Sequence, residues 1–163
     1  CIIKINMSEN HKTKLYNILL ILSRDIFFYK KIELQDTFET RIYLMFMHFS
    51  ILMIVAKKKG SRFNQNSYDN FFNNIEYNLR ELGFGDVSVN KKMKDFNKIL
   101  YDILLKIDLE KDKSESFKIN NDLVSKYFTA LKDEKSTKFI EFDRYFTNFF
   151  YCTGEYVLTY YSL

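Results

Sequence analysis

The stretch that decides the fold is Ile42–Ala56, IYLMFMHFSILMIVA, in which only His48 and Ser50 interrupt an otherwise apolar run. As a helix it would span roughly 22 Å, short of the ~30 Å hydrocarbon core of a bilayer. Two interpretations remain open. The run is a central helix buried by the rest of a domain, or it is a helix that contacts a bilayer or a membrane-protein client. Arg41 precedes it and three lysines, Lys57–Lys59, follow it, as suits a helix C-terminus.

Helical spacing continues upstream of this run. In Lys12–Ser23 the apolar residues recur at the i, i+3, i+4 and i+7 positions of a helix. A break follows at Lys30–Gln35. Asp36 then has the features of an N-cap, and Glu39 completes a capping box for the apolar helix.

Two striped helices follow downstream, joined by a bend that contains two glycines. We expect Asn66 or Ser67 to cap the first, and Gly83 to end it as a left-handed C-cap. After a linker at Phe84–Val89, Ser88 or Asn90 starts the second helix. The two apolar stripes comprise Tyr68, Phe71, Phe72, Ile75, Leu79 and Leu82, and then Met93, Phe96, Ile99, Leu100, Ile103, Leu104 and Ile107.

The remaining chain predicts a charged loop at Glu110–Lys118, a helix at Asn121–Lys132, and a Phe-rich helix that starts near Thr137 and bends or ends at Gly154. Proline is absent and glycine occurs four times, too few turn residues for a sandwich or barrel. The sequence therefore predicts an all-α fold, a single compact domain of five to seven helices around one aromatic-rich core. We place this domain at residues 12–163, after a poorly ordered N-terminus at residues 1–11 in which Met7 is a candidate initiator.

The net charge and the cysteine content disfavour two classes of protein, dedicated nucleic-acid binders and disulfide-stabilised domains. The net charge of +4 is mild, whereas a dedicated nucleic-acid binder concentrates a stronger basic field on one face. Cys1 and Cys152 form neither a CxxC pair nor a disulfide framework, which is typical of a reducing compartment such as the cytoplasm.

Few residues suggest catalysis, metal binding or cofactor binding. His11 and His48 are the two histidines, and no spacing typical of a metal site or nucleophile accompanies them. Gly83 and Gly85 follow a helix, whereas a dinucleotide-binding turn follows a strand. We therefore expect no catalytic activity, no metal and no cofactor.

Three polar features stand out, and each also has a purely structural interpretation. Arg41 and His48 lie about two turns apart on one face of the apolar helix. The segment Leu79–Asp86 forms a tight bend, in which Asp86 is expected to bond backbone N–H groups. Lys91, Lys92 and Lys94 lie near a helix N-terminus, where the macrodipole disfavours cations, so an acidic or phosphate-bearing partner would compensate.

Three ordered segments together resemble the ubiquinol–cytochrome c chaperone family over roughly Leu15–Asp108. They are SRDIFFY at Ser23–Tyr29, then Asp36-Thr37 followed by Arg41 and His48, and, most specifically, LRELGFGDVSVNKKMK at Leu79–Lys94. The sequence departs from the family pattern at Glu76, where an Asp is expected, and in two segments. Leu100–Ile103 lacks a Gly-Arg pair, and Ser125–Tyr127 lacks an Arg-Asn step.

The resemblance implies an all-helical, non-catalytic assembly factor that binds newly made cytochrome b for respiratory complex III. It implies a protein peripheral to the inner membrane, on the matrix side in a eukaryote, with the ribosome or a small co-chaperone as further candidate partners and no DNA. The shortness of the chain and the lack of a visible transit segment favour the bacterial, alphaproteobacterial-type form.

We expect the partner-binding residues to be Phe28, Tyr29, Asp36, Arg41, His48, Arg80, Glu81, Gly83, Gly85, Asp86, Lys91 and Lys92. Our hypothesis places Arg41, His48 and the Arg80–Asp86 bend in one polar cluster beside an apolar groove. Adaptable side chains suit the lining of such a groove, and the candidates are Met45, Phe46, Met47, Phe49 and Met53. Two alternatives are a helical RNA- or ribosome-binding module, and an enzyme on a helical scaffold that acts on a lipid or quinone beside His48.

Overall fold

The computed structural model describes residues 11–60, 63–113 and 117–160. Within these residues six α-helices occur: α1 (His11–Ser23), α2 (Phe38–Lys58), α3 (Gln65–Glu81), α4 (Asp86–Lys113), α5 (Asn121–Tyr127) and α6 (Thr137–Tyr160). A π-helical turn at Phe27–Lys31 and a 3-10 turn at Thr129–Leu131 complete the described part. The predicted all-α fold is confirmed. Met7 and most of the N-terminal segment that we expected to be poorly ordered lie outside the described residues.

The apolar run lies at the centre of the bundle. α2 packs against α1, α4 and α6, and the Phe46 ring contacts the rings of Phe71, Phe72 and Phe96. Among the described residues α2 is long and apolar enough to cross a membrane, with a mean hydropathy of 1.4, but 61% of that window is buried inside the bundle. A helix that is apolar on all sides is typical of a core helix, so the structure favours the central-helix interpretation.

The expected groove lining is mostly core. Met45, Phe46, Met47 and Phe49 are fully or almost fully buried, so they do not form an exposed groove. Met53 is half-buried and lines an open cavity of about 210 Å³. The reason is geometric, because α2 packs against three helices, α1, α4 and α6, which cover both its Met and its Phe side chains.

The two predicted stripes of α3 and α4 face the core, with one exception. Phe71, Ile75 and Leu79 are buried, whereas Leu82 is 59% exposed. Leu82 follows the last residue of α3, where the chain has already begun to turn away from the core. Its side chain therefore belongs to the surface of the bend and not to the stripe.

Two helix starts differ from the prediction. The N-cap of α2 is Thr37 and not Asp36, because the Thr37 hydroxyl accepts the N–H of Thr40 at 3.1 Å. The N-cap of α3 is Asn64 and not Asn66 or Ser67. In both cases several cap-forming side chains are adjacent, and the sequence does not distinguish which of them the backbone uses.

α4 is longer than predicted at both ends. It begins at Asp86, where the Val89 N–H donates to the Gly85 carbonyl at 2.9 Å, and it continues to Lys113 through part of the expected loop. α5 is shorter than expected and ends at Tyr127. α6 starts at Thr137 as predicted, but it passes through Gly154 without ending.

Candidate functional site

The bend between α3 and α4 is built by its glycines. Gly83 has a φ of +89°, the left-handed conformation predicted for it. The Phe84 N–H donates to the Leu79 carbonyl at 3.2 Å, and the Gly83 N–H donates to the Arg80 carbonyl at 3.0 Å, as in a Schellman motif. Gly85 follows and accepts the first hydrogen bond of α4. The bend therefore spans only four residues, from Leu82 to Gly85.

The bend exposes apolar side chains. Every residue from Arg80 to Ser88 is exposed. Leu82 is 59% exposed, Phe84 38% and Val87 84%. We call these three side chains the corner surface. Exposed apolar side chains so close together in the chain are a candidate binding surface, whereas singly scattered ones need no such explanation.

Ion pairs hold the two helices beside the corner surface. The Arg80 guanidinium contacts the Asp86 carboxylate on α4, and its Nη2 lies 2.9 Å from Oε1 of Glu76 on α3. Hydrogen bonds from these two carboxylates raise the pKa of Arg80, so the guanidinium stays charged. The Arg80–Asp86 pair crosses the bend from the end of α3 to the start of α4. It also replaces the expected bonds from Asp86 to backbone N–H groups.

Lys92 joins the bend to α2. Its Nζ lies 3.2 Å from Oε1 of Glu39 and 4.9 Å from the centroid of the Phe84 ring. Within the basic run, Lys92 therefore has an acidic partner in Glu39 of the same chain. Lys91 is exposed. Because α4 starts at Asp86, both lysines lie beyond its first turn, where the macrodipole acts weakly.

A second polar cluster surrounds the start of α2. Arg41 makes a bidentate pair with Asp36, at 2.7 and 2.8 Å, and this bond lowers the pKa of Asp36. Asp36 above all, and the neighbouring Tyr29 to a smaller extent, raise the pKa of Arg41, and the Tyr29 hydroxyl donates to the Ser23 carbonyl at 2.6 Å. Since Glu39 and Arg41 share the first turns of α2, this cluster and the Lys92–Glu39 pair lie at the same end of the bundle.

His48 lies inside the bundle. It is fully buried against Phe28, Phe146 and Phe149. Its Nδ1–H donates to the Leu44 carbonyl at 2.7 Å, because a carbonyl can only accept, and its Nε2 accepts the Tyr145 hydroxyl at 2.9 Å. Burial lowers the pKa of His48 to about 4, so the ring is neutral. Both nitrogens are engaged, which leaves none for a ligand in this arrangement.

The hypothesis of one polar cluster is therefore wrong. Arg41 contacts Asp36 and Tyr29, Arg80 contacts Glu76 and Asp86, and His48 contacts Tyr145. Arg41 and His48 share a helix face, but Arg41 lies near the end of the bundle while His48 and Phe28 lie in the core. Of the remaining expected residues, Glu81 lies beside Tyr77 and raises the pKa of its hydroxyl, and Gly83 and Gly85 form the bend.

Sequence reasoning missed Glu39 and Tyr145 as partners of site residues. Glu39 was assigned to a capping box, and its contact with Lys92 crosses 53 positions of sequence. Tyr145 is a half-buried tyrosine among the phenylalanines of α6. A hydroxyl in so apolar a stretch was the one sequence signal that this residue has a hydrogen-bond partner.

The two segments that depart from the family pattern contact each other. Asp102 on α4 accepts Lys126 Nζ at 2.7 Å and the Tyr127 hydroxyl at 2.5 Å, both from α5. Burial and the bond to Asp102 raise the pKa of Tyr127 to about 12. Residues of the two segments thus form one polar contact between α4 and α5.

Comparison with known proteins identifies the family of this chain. The family model described as ubiquinol-cytochrome C chaperone matches residues 30–135, more than half of the chain. The match contains the bend and the start of α2, while the Ser23–Tyr29 segment precedes it. A search of curated proteins found no match. A search of solved structures also found none. The matched span shows that the chain belongs to the ubiquinol–cytochrome c chaperone family.

Proposed function

We propose that this chain binds newly synthesised cytochrome b and holds it during assembly of respiratory complex III. Membership of the family indicates a role in assembling that complex. The corner surface is the observation that supports direct client binding, because Leu82, Phe84 and Val87 are exposed together within the matched residues. A membrane subunit awaiting assembly exposes apolar side chains, and an apolar patch with a polar rim suits such a partner.

The charged side chains beside the corner surface, which we call its rim, support the proposal that the client is bound in one orientation. Arg80 pairs with carboxylates on α3 and α4, and Lys92 pairs with Glu39 on α2, so charges of both signs lie beside the corner surface. The proposed contact residues are therefore the corner surface with Arg80, Asp86 and Lys92. Such binding makes and breaks no covalent bond and needs no cofactor. The proposal includes a peripheral contact with the membrane that holds the client, and the ribosome or a small co-chaperone as a further partner.

Charge balance favours this function over RNA binding. An RNA interface needs basic side chains that are left to neutralise phosphates. Arg80 instead faces two carboxylates, and Lys92 faces Glu39 and the Phe84 ring. The bend therefore offers apolar surface with balanced charge.

The test is recovery of cytochrome b with the purified tagged protein. The variant Leu82→Ser/Val87→Ser removes apolar area from the corner surface without touching the core. The matched control is Leu105→Ser/Ile140→Ser, since Leu105 is 61% and Ile140 47% exposed at other places. We expect about a tenfold loss of recovery for the first variant and none for the control, because a few apolar anchors dominate an interface.

Equal recovery by both variants, with equal melting temperatures, would remove the corner surface from the proposal. Arg80→Ala/Asp86→Ala tests the rim in the same assay. Deletion in the native host, followed by a haem-stained measurement of complex III, tests the function as a whole. Normal amounts of mature cytochrome b after deletion would refute it.

A further inference from the structure

The outer face of α4 carries a line of exposed side chains that the proposed client contact does not use. They recur at alternating intervals of three and four residues, which is the spacing of a coiled-coil seam. We call this set the α4 seam, and its members are Lys91, Lys94, Lys98, Tyr101 and Leu105. All five residues are exposed, and the seam extends for about 21 Å along the helix axis.

The α4 seam lies opposite the side of α4 that packs into the core. Phe96, Leu100 and Ile103 are buried, and the helical rotation per residue places them about half a turn away from the seam. The outer face of a helix in a soluble protein is usually polar along its whole length. Here three successive lysines are followed by Tyr101, which is 55% exposed, and Leu105, which is 61% exposed. The seam therefore has a basic half and an apolar half.

The three lysines of the α4 seam make no ion pair or hydrogen bond with any residue that the structure describes. Other lysines of the same helix do have such partners, since Lys92 pairs with Glu39 and Lys106 pairs with Asp102. Asp95 is exposed at the edge of the seam, so this face keeps an excess of positive charge. Its ammonium groups are thus available to carboxylates of another molecule.

A second helix that lies along α4 matches this arrangement. Because the seam repeats with the period of a helix, carboxylates at the same period on the partner would lie opposite the three lysines over about 10 Å. Apolar side chains on the next turns of the partner would then cover Tyr101 and Leu105. The charge and the spacing of the seam together define an amphipathic helix with an acidic half and an apolar half.

Three other occupants match the seam less well. A nucleic-acid interface spreads its cations over a broader patch, whereas these lysines form one line with Asp95 at its edge. A helix at a membrane interface has its lysines on a separate face from its apolar residues, whereas here the two kinds follow each other along one line. A second copy of this chain would need an acidic seam, and none of the described helices carries three exposed carboxylates at this spacing.

We infer that the α4 seam binds, side by side, an amphipathic helix of a partner protein that is acidic over one half and apolar over the other. This contact is separate from the client contact proposed above. Its tests contain no cytochrome b, so failure here leaves client binding intact, and failure of client binding leaves this contact intact.

The first test measures binding of a labelled synthetic helix by fluorescence anisotropy at low ionic strength. The probe is an alanine-based peptide of about 20 residues, long enough to be helical alone, with glutamate at three successive seam positions and leucine at the next two. A second peptide of identical composition carries its glutamates on the opposite face. We expect the full chain to bind the second peptide about tenfold more weakly, because three exposed ion pairs of a few-fold each are lost.

Substitutions in the α4 seam test the same contact from the side of the protein. Lys91→Gln/Lys94→Gln/Lys98→Gln removes three charges and no contact among the described residues, so the melting temperature should be unchanged. We expect this variant to bind the acidic seam peptide about tenfold more weakly. The variant with glutamate at the same three positions should instead bind a seam peptide that has lysine in place of glutamate.

The matched control changes three exposed lysines on other elements. Lys30→Gln/Lys132→Gln/Lys135→Gln makes the same change in net charge and should bind the acidic seam peptide like the unaltered protein. Equal binding by the two glutamine variants would overturn the inference, and so would equal binding of the two peptides of identical composition. Binding of an oligouridylate or of anionic vesicles in place of the acidic peptide, with loss in the seam variant, would overturn it in favour of nucleic acid or lipid.

The second test locates the apolar half of the contact by fluorescence, since the chain contains no tryptophan. Tyr101→Trp places a unique probe in the α4 seam, and its emission should move to shorter wavelength when the unlabelled acidic seam peptide is added. Tyr77→Trp places the probe at an exposed position on α3 and should not respond. An identical response of the two probes would overturn the inference.

Discussion

Acidification to about pH 5 should destabilise the protein through His48, because the fold keeps this ring neutral at a pH where an ordinary imidazole, with a pKa near 6.5, is protonated. Burial lowers the pKa of His48 to about 4, and the hydrogen bond to the Leu44 carbonyl opposes this only in part. The unfolded chain therefore takes up the proton at a higher pH than the folded chain does. Stability from neutral His48 is present above pH 6.5 and is lost as the pH falls towards 4.

The size of the effect follows from the two pKa values. Linkage gives a loss of about 2 kcal/mol at about pH 5 and about 3 kcal/mol at about pH 4. Either loss is a large share of the about 5–15 kcal/mol that stabilises a typical domain.

The assay is urea unfolding of the unaltered protein and of His48→Gln, at about pH 7 and about pH 5. The variant keeps a donor for the Leu44 carbonyl and an acceptor for the Tyr145 hydroxyl, but it cannot titrate. Carboxylates with a lowered pKa, such as Asp36 and Glu141, also contribute less to the stability of the protein in acid, but this loss is the same in the unaltered protein and in the variant. The difference between the two pH dependences therefore isolates His48. Parallel pH dependences would refute the reasoning, and so would an NMR titration in which His48 gains its proton near pH 6.5.

Three further perturbations have defined outcomes. Phe142→Ala should cost about 3–5 kcal/mol of unfolding free energy in urea, because the ring is fully buried, and a loss below about 1 kcal/mol would contradict that packing. Gly83→Ala should lower the free energy of unfolding by about 1 kcal/mol through the positive φ at this position alone, since a Cβ there meets open space. Gly85→Ala is the control, because Gly85 has no positive φ. Equal melting temperatures for the two variants would contradict the backbone strain at Gly83. Asp102→Asn should lower the pKa of Tyr127 from about 12, as followed by NMR of labelled tyrosine, and an unchanged pKa would assign the shift to burial alone.

Local features of this fold were predictable because they depend on nearby residues. Gly83 was identifiable as a left-handed C-cap from its place after a helical stripe, and the structure confirms it. The start of α6 at Thr137 was likewise identifiable from the stripe that follows it. The buried state of the Ile42–Ala56 run was one of two open interpretations, since composition alone does not distinguish a core helix from a membrane-contacting one.

Contacts between distant segments were not predictable. The His48–Tyr145 bond spans 97 positions, and no local pattern selects that tyrosine among the twelve in the chain. Leu82 fits the α3 stripe by spacing, yet it is exposed because the helix ends one residue earlier. The corner surface therefore depends on where a helix terminates, which is the least certain feature of a sequence pattern.

The length of α2 has a mechanical consequence. Its first turns carry Glu39, which contacts Lys92 beside the bend, and its last turn carries Lys58, whose Nζ lies 4.7 Å from the centroid of the Phe150 ring on α6. Twenty-one helical residues separate these points by about 30 Å. Because one helix connects the α3–α4 bend at one end of the bundle with α6 at the other, a partner bound at the corner surface would lie about 30 Å from the contact between Lys58 and α6.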